Sequence, residues 1–150
     1  MMYKIINSFF MGLVFVSLLD FLFFIGLKLN YFELYGINKE YFNIIFVDNQ
    51  NFYLLIPSFF IVGYLMLYCR FSKIFDKVYI LFIIISALSI YEPVGKKFGE
   101  MMFKQNGVTF KVGRVTFEGD LLYKGRVYTY IYRKDLAKTI KIKNSDVEVL

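Results

Sequence analysis

Hydrophobic residues are distributed in two different ways along this chain, and the change comes at Pro93. Before Pro93, apolar residues form long runs at about 5–27, 52–69 and 75–91. After it, apolar and polar residues alternate one by one. Long apolar runs are typical of membrane helices, whereas alternation is typical of half-buried strands. The pattern therefore predicts a helical membrane region followed by a small β-domain.

The lengths of the three runs decide how many of them can span a bilayer. A helix rises about 1.5 Å per residue, so a hydrocarbon core about 30 Å thick needs roughly 20 apolar residues. The first run meets this length and is too long and bulky for a signal peptide. The second is at the short end, and the third is long enough only if Asp76 and Lys77 extend toward the headgroups. We predict an α-helical bundle of three transmembrane helices within residues 1–92.

The segment after the third run has the pattern of a helix in the membrane interface. Pro93 is expected to end the preceding helix. Phe98, Met101 and Met102 then recur at helical spacing and share one face. We predict a short juxtamembrane interfacial helix within residues 93–106.

The remaining residues, 107–150, predict a basic all-β domain. Alternating segments are separated by turn signals, among them Glu118, Gly119 and Asp120. Five short strands in so short a segment predict a small SH3-like or OB-like barrel. Such a barrel buries too little apolar surface to be comfortably stable alone. It needs the interfacial helix, the membrane or a neighbouring subunit for support, and the last possibility predicts a homo-oligomer.

Charge divides the chain at the same place. Residues 1–92 carry equal numbers of basic and acidic side chains, so the whole net charge of +6 lies on residues 93–150. A cationic domain at a bilayer is attracted to anionic lipid headgroups or to an acidic cytoplasmic protein partner. The alternative is a solvated surface that keeps the domain soluble. Lysines flanking the spans predict a multi-pass protein of the inner (cell) membrane with a cytoplasmic C-terminal domain.

Catalytic chemistry has little support in the composition. The chain has no histidine and a single cysteine, Cys69, and it contains no glycine-rich phosphate loop. The commonest general base and metal ligand is therefore missing. We predict no catalytic residue, no metal ligand and no cofactor. Nucleic-acid binding is also disfavoured, because the lysines are spread over several strands.

Asp20 is the most unusual residue of the first run, because a carboxylate inside a membrane is costly. Ser17 lies on the same side of the helix, where another helix could pack. Asp20 is predicted to handle an ion or proton, to make a polar contact between subunits, or to be protonated and hydrogen-bonded within the bundle. The candidate hydrogen-bond donors on other helices are Ser58, Tyr64, Ser86 and Ser89.

A tyrosine stripe is the second candidate site. Tyr128, Tyr130 and Tyr132 alternate along one predicted strand and so share a face. Aromatic rings beside basic residues can stack nucleobases or hold headgroups, but packing against another strand or subunit is the simpler explanation of the stripe. The basic residues that flank the stripe are Arg126, Arg133 and Lys134.

Three functions follow from these patterns. The first is a non-catalytic membrane protein whose helices anchor and oligomerise a basic domain, and this domain docks or regulates a cytoplasmic partner or senses the membrane state. The second is a small channel or ion-handling subunit that depends on Asp20. The third is defence, as a bacteriocin-immunity or phage-exclusion protein, suggested by the small size, the several spans and the lack of catalytic chemistry.

Overall fold

The computed structural model describes residues 2–37 and 42–149. Five α-helices are followed by five β-strands, and a short π-helix, Lys28–Phe32, extends the first helix. The helices are α1 (Met2–Leu27), α2 (Phe42–Asp48), α3 (Phe52–Tyr68), α4 (Ser72–Leu88) and α5 (Glu92–Phe103). The strands are β1 (Gln105–Val112), β2 (Val115–Lys124), β3 (Tyr128–Arg133), β4 (Lys138–Lys143) and β5 (Val147–Val149).

Helices α1 and α3 approach each other closely because small residues line their contact. A Cβ atom on Gly12 would lie 1.6 Å from the carbonyl oxygen of Phe59, and one on Gly63 would lie 1.9 Å from that of Ser8. Neither position tolerates a side chain without separating the helices. Helices packed through small residues in this way are typical of membrane bundles.

The outer surfaces of the long helices are apolar. Helix α4 buries none of its residues, and α3 buries only Phe59 and Gly63. Their exposed side chains include many of leucine, isoleucine and phenylalanine. An apolar surface of this extent is not found on ordinary soluble monomers.

Among the described residues, one helix, Met2–Phe32, is by itself long and apolar enough to cross a membrane. Helices α2 and α3 meet that requirement only as a pair bent by 84°, and α4 and α5 only as a pair bent by 90°. Each pair therefore consists of a long apolar helix and a short one almost perpendicular to it. The structure thus indicates association with a membrane through its N-terminal helix.

The β-domain is a five-stranded antiparallel sheet in the order β4-β3-β2-β1-β5. Strands β4 and β5 lie at opposite edges, although only residues 144–146 separate them in sequence. A flat sheet of five strands is about 19 Å wide, whereas that connection spans at most about 14 Å. The sheet must therefore curl. The predicted five-stranded domain is confirmed, but as a half-barrel: β4 and β5 do not pair in the described part of the chain.

The curled sheet has an apolar core on each face. Phe110, Leu121 and Ile131 form the core inside the curl. On the outer face, Leu122 and Tyr130 pack against aromatic residues of the helices. We call this second core the aromatic junction; its buried residues are Phe24, Leu27, Tyr31, Phe32, Ile37, Ile45, Leu122, Tyr123 and Tyr130.

Two sequence-based predictions of chain breaks differ from the structure. Pro93 does not end the third apolar helix: α4 already ends at Leu88, and Pro93 lies in the first turn of α5, where its missing N–H costs nothing. Glu118 to Asp120 is not a turn but the middle of β2. Gly119 is required there because a Cβ atom would lie 2.7 Å from the side chain of Ile131.

Candidate functional site at the junction of helices and sheet

The end of the first helix is shaped by the π-helix. The N–H of Glu33 donates to the carbonyl of Lys28 over 3.0 Å, five residues earlier, which widens the turn. The wider turn carries Tyr31 and Phe32 under the sheet, where both are buried. This segment therefore leaves the bundle and enters the core of the β-domain.

Tyr31 joins the helices to the sheet by a hydrogen bond as well as by packing. Its hydroxyl donates to the carbonyl of Leu122 over 2.7 Å, and the bond is buried. Leu122 lies at a bulge in β2. The residues on either side of it, Leu121 and Tyr123, pair with consecutive residues of β3, and Leu122 has no partner there. The bulge turns Leu122 and Tyr123 to the same side of the sheet. Tyr31 thus binds a carbonyl that has no opposing residue in the strand ladder.

A second polar contact fixes the end of α4. The side-chain amide of Asn30 donates to the carbonyls of Ser89 and Ile90, over 2.9 and 2.8 Å. The hydroxyl of Ser89 contacts the carbonyls of Phe23 and Ser86. Ser89 and Ile90 follow Leu88, the last residue of α4, so Asn30 supplies donors to the carbonyls of the connection between α4 and α5. This contact holds the bend between α4 and α5 against the first helix.

Tyr35 and Glu100 extend the junction on the side of α5. The hydroxyl of Tyr35 donates to a carboxylate oxygen of Glu100. Burial, and next the neighbouring Glu100 carboxylate, raise the pKa of Tyr35 above its ordinary value. Tyr35 therefore remains a neutral donor at any physiological pH.

Asp120 is the most buried carboxylate of the β-domain, at 2% exposure. It accepts a hydrogen bond from the N–H of Gly107 over 3.0 Å and lies 3.1 Å from the ammonium of Lys134 and 3.5 Å from that of Lys104. Burial alone would raise its pKa, but these three donors together lower the pKa below its usual value. The result is a charged, fully partnered carboxylate where α5 joins β1 and β2.

The tyrosine stripe faces the helices of the same chain. Tyr130 is 1% exposed in the aromatic junction, while Tyr128 and Tyr132 are half-buried at its edge. A ligand cannot reach Tyr130 in this conformation. Arg133 is on the opposite face, over the ring of Phe117.

The basic residues that flank the stripe have acidic partners. Arg126 forms a forked ion pair with Asp48 of α2. Arg133 pairs with Asp135, and Lys134 pairs with Asp120. The structure therefore does not bring the six predicted residues together on one open surface.

Asp20 and Ser17 line a cavity of about 440 Å³ beside the start of α3. The Gln50 side chain approaches the Asp20 carboxyl group, although its amide nitrogen lies outside hydrogen-bonding geometry with any described residue. The other residues of the lining are Val14, Leu18, Phe21, Phe46, Val47, Phe52 and Leu55. Asp20 is thus level with the end of a neighbouring helix rather than in the middle of the bundle.

Two of the four donors that sequence analysis suggested for Asp20 bind other residues. Ser58 donates to Leu55 within its own helix, and Ser89 is bound at the end of α4. Gln50 was missed because it lies outside the apolar runs. Tyr31 and Asn30 were missed because their segment has the composition of an interfacial loop, and no sequence signal marks the π-helix.

Comparison with known protein families, curated proteins and solved structures finds no match to this chain. The function is therefore inferred from the arrangement of the residues alone.

Proposed function

We propose that this chain is a non-catalytic integral membrane protein that crosses the inner membrane three times and holds a basic β-domain at its cytoplasmic surface, where the domain docks or regulates a partner. In this proposal α1, α3 and α4 span the bilayer, and α2 and α5 lie along its surface. The bends of 84° and 90° support this arrangement, since a helix perpendicular to a span lies in the plane of the membrane.

The observation that carries the proposal is the fixed attachment of the β-domain. A flexibly tethered domain would need few contacts with its anchor, but here Tyr31 and Phe32 of the first helix are buried in the domain's outer core. The ion pair between Arg126 and Asp48 ties the sheet to α2 as well. A domain held in one orientation presents the same charged surface to the membrane and to a partner at all times.

The aromatic junction also bears on oligomerisation. The half-barrel is too small to be comfortably stable alone, and here the helices of its own chain cover one face. A second subunit is not needed for that purpose. Homo-oligomerisation stays a prediction, with the uncovered surface of α4 as the place where a second bundle would pack.

A topology experiment tests the three spans. In a Cys69→Ser background, Lys73→Cys lies in the first turn of α4, next to the connection from α3, and Ser145→Cys lies between β4 and β5; both positions are exposed. Intact cells are treated with a membrane-impermeant maleimide before and after permeabilisation. We expect position 73 to react in intact cells and position 145 only after permeabilisation. Equal reaction of both in intact cells would contradict an odd number of spans between them.

A crosslinking experiment tests docking. A photoreactive maleimide attached to Ser145→Cys in permeabilised cells should yield an adduct of discrete mass, because the β-domain contacts a defined partner. The same reagent at Lys73→Cys, on the other side of the membrane, is the control. If position 145 gives only the free chain, the domain docks nothing under those conditions and this part of the proposal is wrong.

Ion handling by Asp20 is a second candidate, favoured by the carboxylate and amide that share one cavity. The residues that line the cavity include no second acid and no basic side chain. Asp20 alone is therefore poorly suited to pass a proton or ion across the membrane. An Asp20→Asn variant reconstituted in liposomes should lose ion flux if this function is correct, whereas Ser17→Ala should retain most of it. Unchanged flux in Asp20→Asn would exclude the function.

A further inference from the structure

The edge strand β4 presents two lysines on the face of the sheet that the helices cover. Lys141 is paired with Tyr130 in the ladder, and Lys143 with Tyr128. Directly opposed residues of an antiparallel pair project from the same face. Lys141 and Lys143 therefore point to the same side as the aromatic junction.

These lysines lie beyond the area that the helices bury. Tyr130 is buried, but Lys141 is half-buried and Lys143 is exposed, so the helices end between β3 and β4. The ammonium of Lys141 lies 3.3 Å from the ring centroid of Tyr128 and 5.9 Å from that of Tyr130. The rings hold this charge in place by cation–π attraction and leave it accessible from one side.

Nearby acidic residues are already paired with other side chains. Asp48 binds Arg126, and Asp135 binds Arg133. Asp146, three residues after Lys143, accepts a hydrogen bond from the hydroxyl of Ser145. Strand β4 contains no acidic residue. Within residues 2–37 and 42–149, neither lysine forms a salt bridge, so both charges are available for an anion from outside the chain.

The orientation of this face identifies the anion. If α2 and α5 lie on the bilayer, the sheet face that packs against them is directed at the membrane. The lysines then lie about one helix diameter, roughly 10 Å, above the hydrocarbon, which brings their ammonium groups close to the phosphates of the headgroups. We infer that Lys141 and Lys143 bind the headgroup of an anionic phospholipid next to α2. This inference rests on the proposed membrane orientation.

Native mass spectrometry of the detergent-solubilised full chain tests the site. Phosphatidylglycerol is the probe, and phosphatidylcholine is the neutral comparison. Two lysines at about 1 kcal/mol each correspond to about thirtyfold in affinity. We expect phosphatidylglycerol to bind preferentially, and a Lys141→Gln/Lys143→Gln variant to lose affinity for it by about that factor.

The matched control removes the same charge from elsewhere in the β-domain. Lys124 and Lys138 are both exposed and lie outside the lysine face of β4. A Lys124→Gln/Lys138→Gln variant should bind phosphatidylglycerol as the parent chain does. Equal losses in both variants would mean diffuse attraction and overturn the site, as would equal binding of the two lipids. Because this readout is independent of maleimide accessibility, failure of the lipid site and failure of the three-span topology can be distinguished.

Discussion

Helices α3 and α4 contain the same kinds of side chain as the aromatic junction, but most of theirs are exposed and those of the junction are buried. On α3 and α4 most of the phenylalanine, leucine and isoleucine residues are exposed, and α3 meets α1 through Gly12 and Gly63. In the junction the large residues are buried against one another, and their contacts include edge-to-face aromatic pairs such as Phe32 with Tyr123. If α3 and α4 span the bilayer as proposed, lipid replaces water around the first set, and burying those residues in protein gains little. Around the second set, burial itself stabilises the fold.

The largest effect is expected from enlarging a small residue where α1 and α3 are in contact. Gly12→Leu would place a side chain where the carbonyl of Phe59 now lies, so α1 and α3 would separate. We expect a loss of about 3 kcal/mol in the free energy of unfolding, measured in detergent. Val14→Leu, on the exposed side of α1, is the control and should change little. A mild effect of Gly12→Leu would show that the helices do not depend on close packing.

A conservative change in the junction should have the next largest effect. Tyr31→Phe keeps the ring but leaves the carbonyl of Leu122 without its donor. An unsatisfied buried carbonyl costs about 1 to 3 kcal/mol, so we expect a loss of about 2 kcal/mol. Faster hydrogen exchange in β2 would locate the damage.

The control for that change is Tyr53→Phe, because Tyr53 is 93% exposed. It should have no measurable effect on unfolding. If the two tyrosine variants behaved alike, the hydrogen bond to Leu122 would not stabilise the attachment of the sheet.

The buried carboxylate of Asp120 is expected to make the stability of the β-domain depend on pH. Its folded-state pKa lies below its unfolded value, so the stability it contributes is present above the unfolded pKa of about 4 and is lost as the pH falls through the lower, folded pKa. In thermal unfolding between pH 6 and pH 3, Asp120→Asn should be less stable than the parent chain by about 1 kcal/mol at pH 6 and should show a flatter pH dependence. Glu148, exposed on β5, serves as the control in Glu148→Gln. Parallel pH profiles for Asp120→Asn and the parent would contradict the assigned ion pairs.

The smallest effect is expected at the ion pair between Arg126 and Asp48, which lies at the surface. Pairing with Arg126 lowers the pKa of Asp48, but exposed ion pairs contribute little and are screened by salt. Arg126→Gln should lower the melting temperature slightly at low ionic strength and not at 0.5 M salt or thereabouts. A large, salt-independent loss would mean that this contact carries much of the attachment to α2.

Much of the β-domain could be predicted from the sequence because alternation has a direct geometric meaning. Thr129 and Ile131 face the inside of the curl while the tyrosines face outward, as period-two spacing predicts. Gly119 misled that reasoning: a glycine beside charged residues has the appearance of a turn, although here it allows two strands to approach closely. Such a requirement depends on Ile131, twelve residues further along the chain, and local patterns do not contain it.

Less of the candidate site than of the β-domain could be predicted from the sequence. Asp20 stands out because a charge interrupts an apolar run, but its neighbour Gln50 is brought to it only by the bend between α2 and α3. Tyr31 is one of several aromatic residues between the first two apolar runs, and nothing in the sequence distinguishes it from the others. Its burial depends on a π-helix and on a bulge in β2, and the two meet only in the folded chain.

The length of α3 and α4 has a consequence for the thickness of membrane that suits this protein. Helices α3 and α4 each contain 17 residues and so extend about 25 Å. If they span the bilayer, their apolar length is several ångströms less than the usual hydrocarbon thickness of about 30 Å, and mismatch has a small energetic cost for each ångström. Lipids around the bundle are then expected to compress, and short-chain lipids to be enriched there. Membrane thickness would thereby influence the stability of the bundle and, through the aromatic junction, of the sheet attached to it.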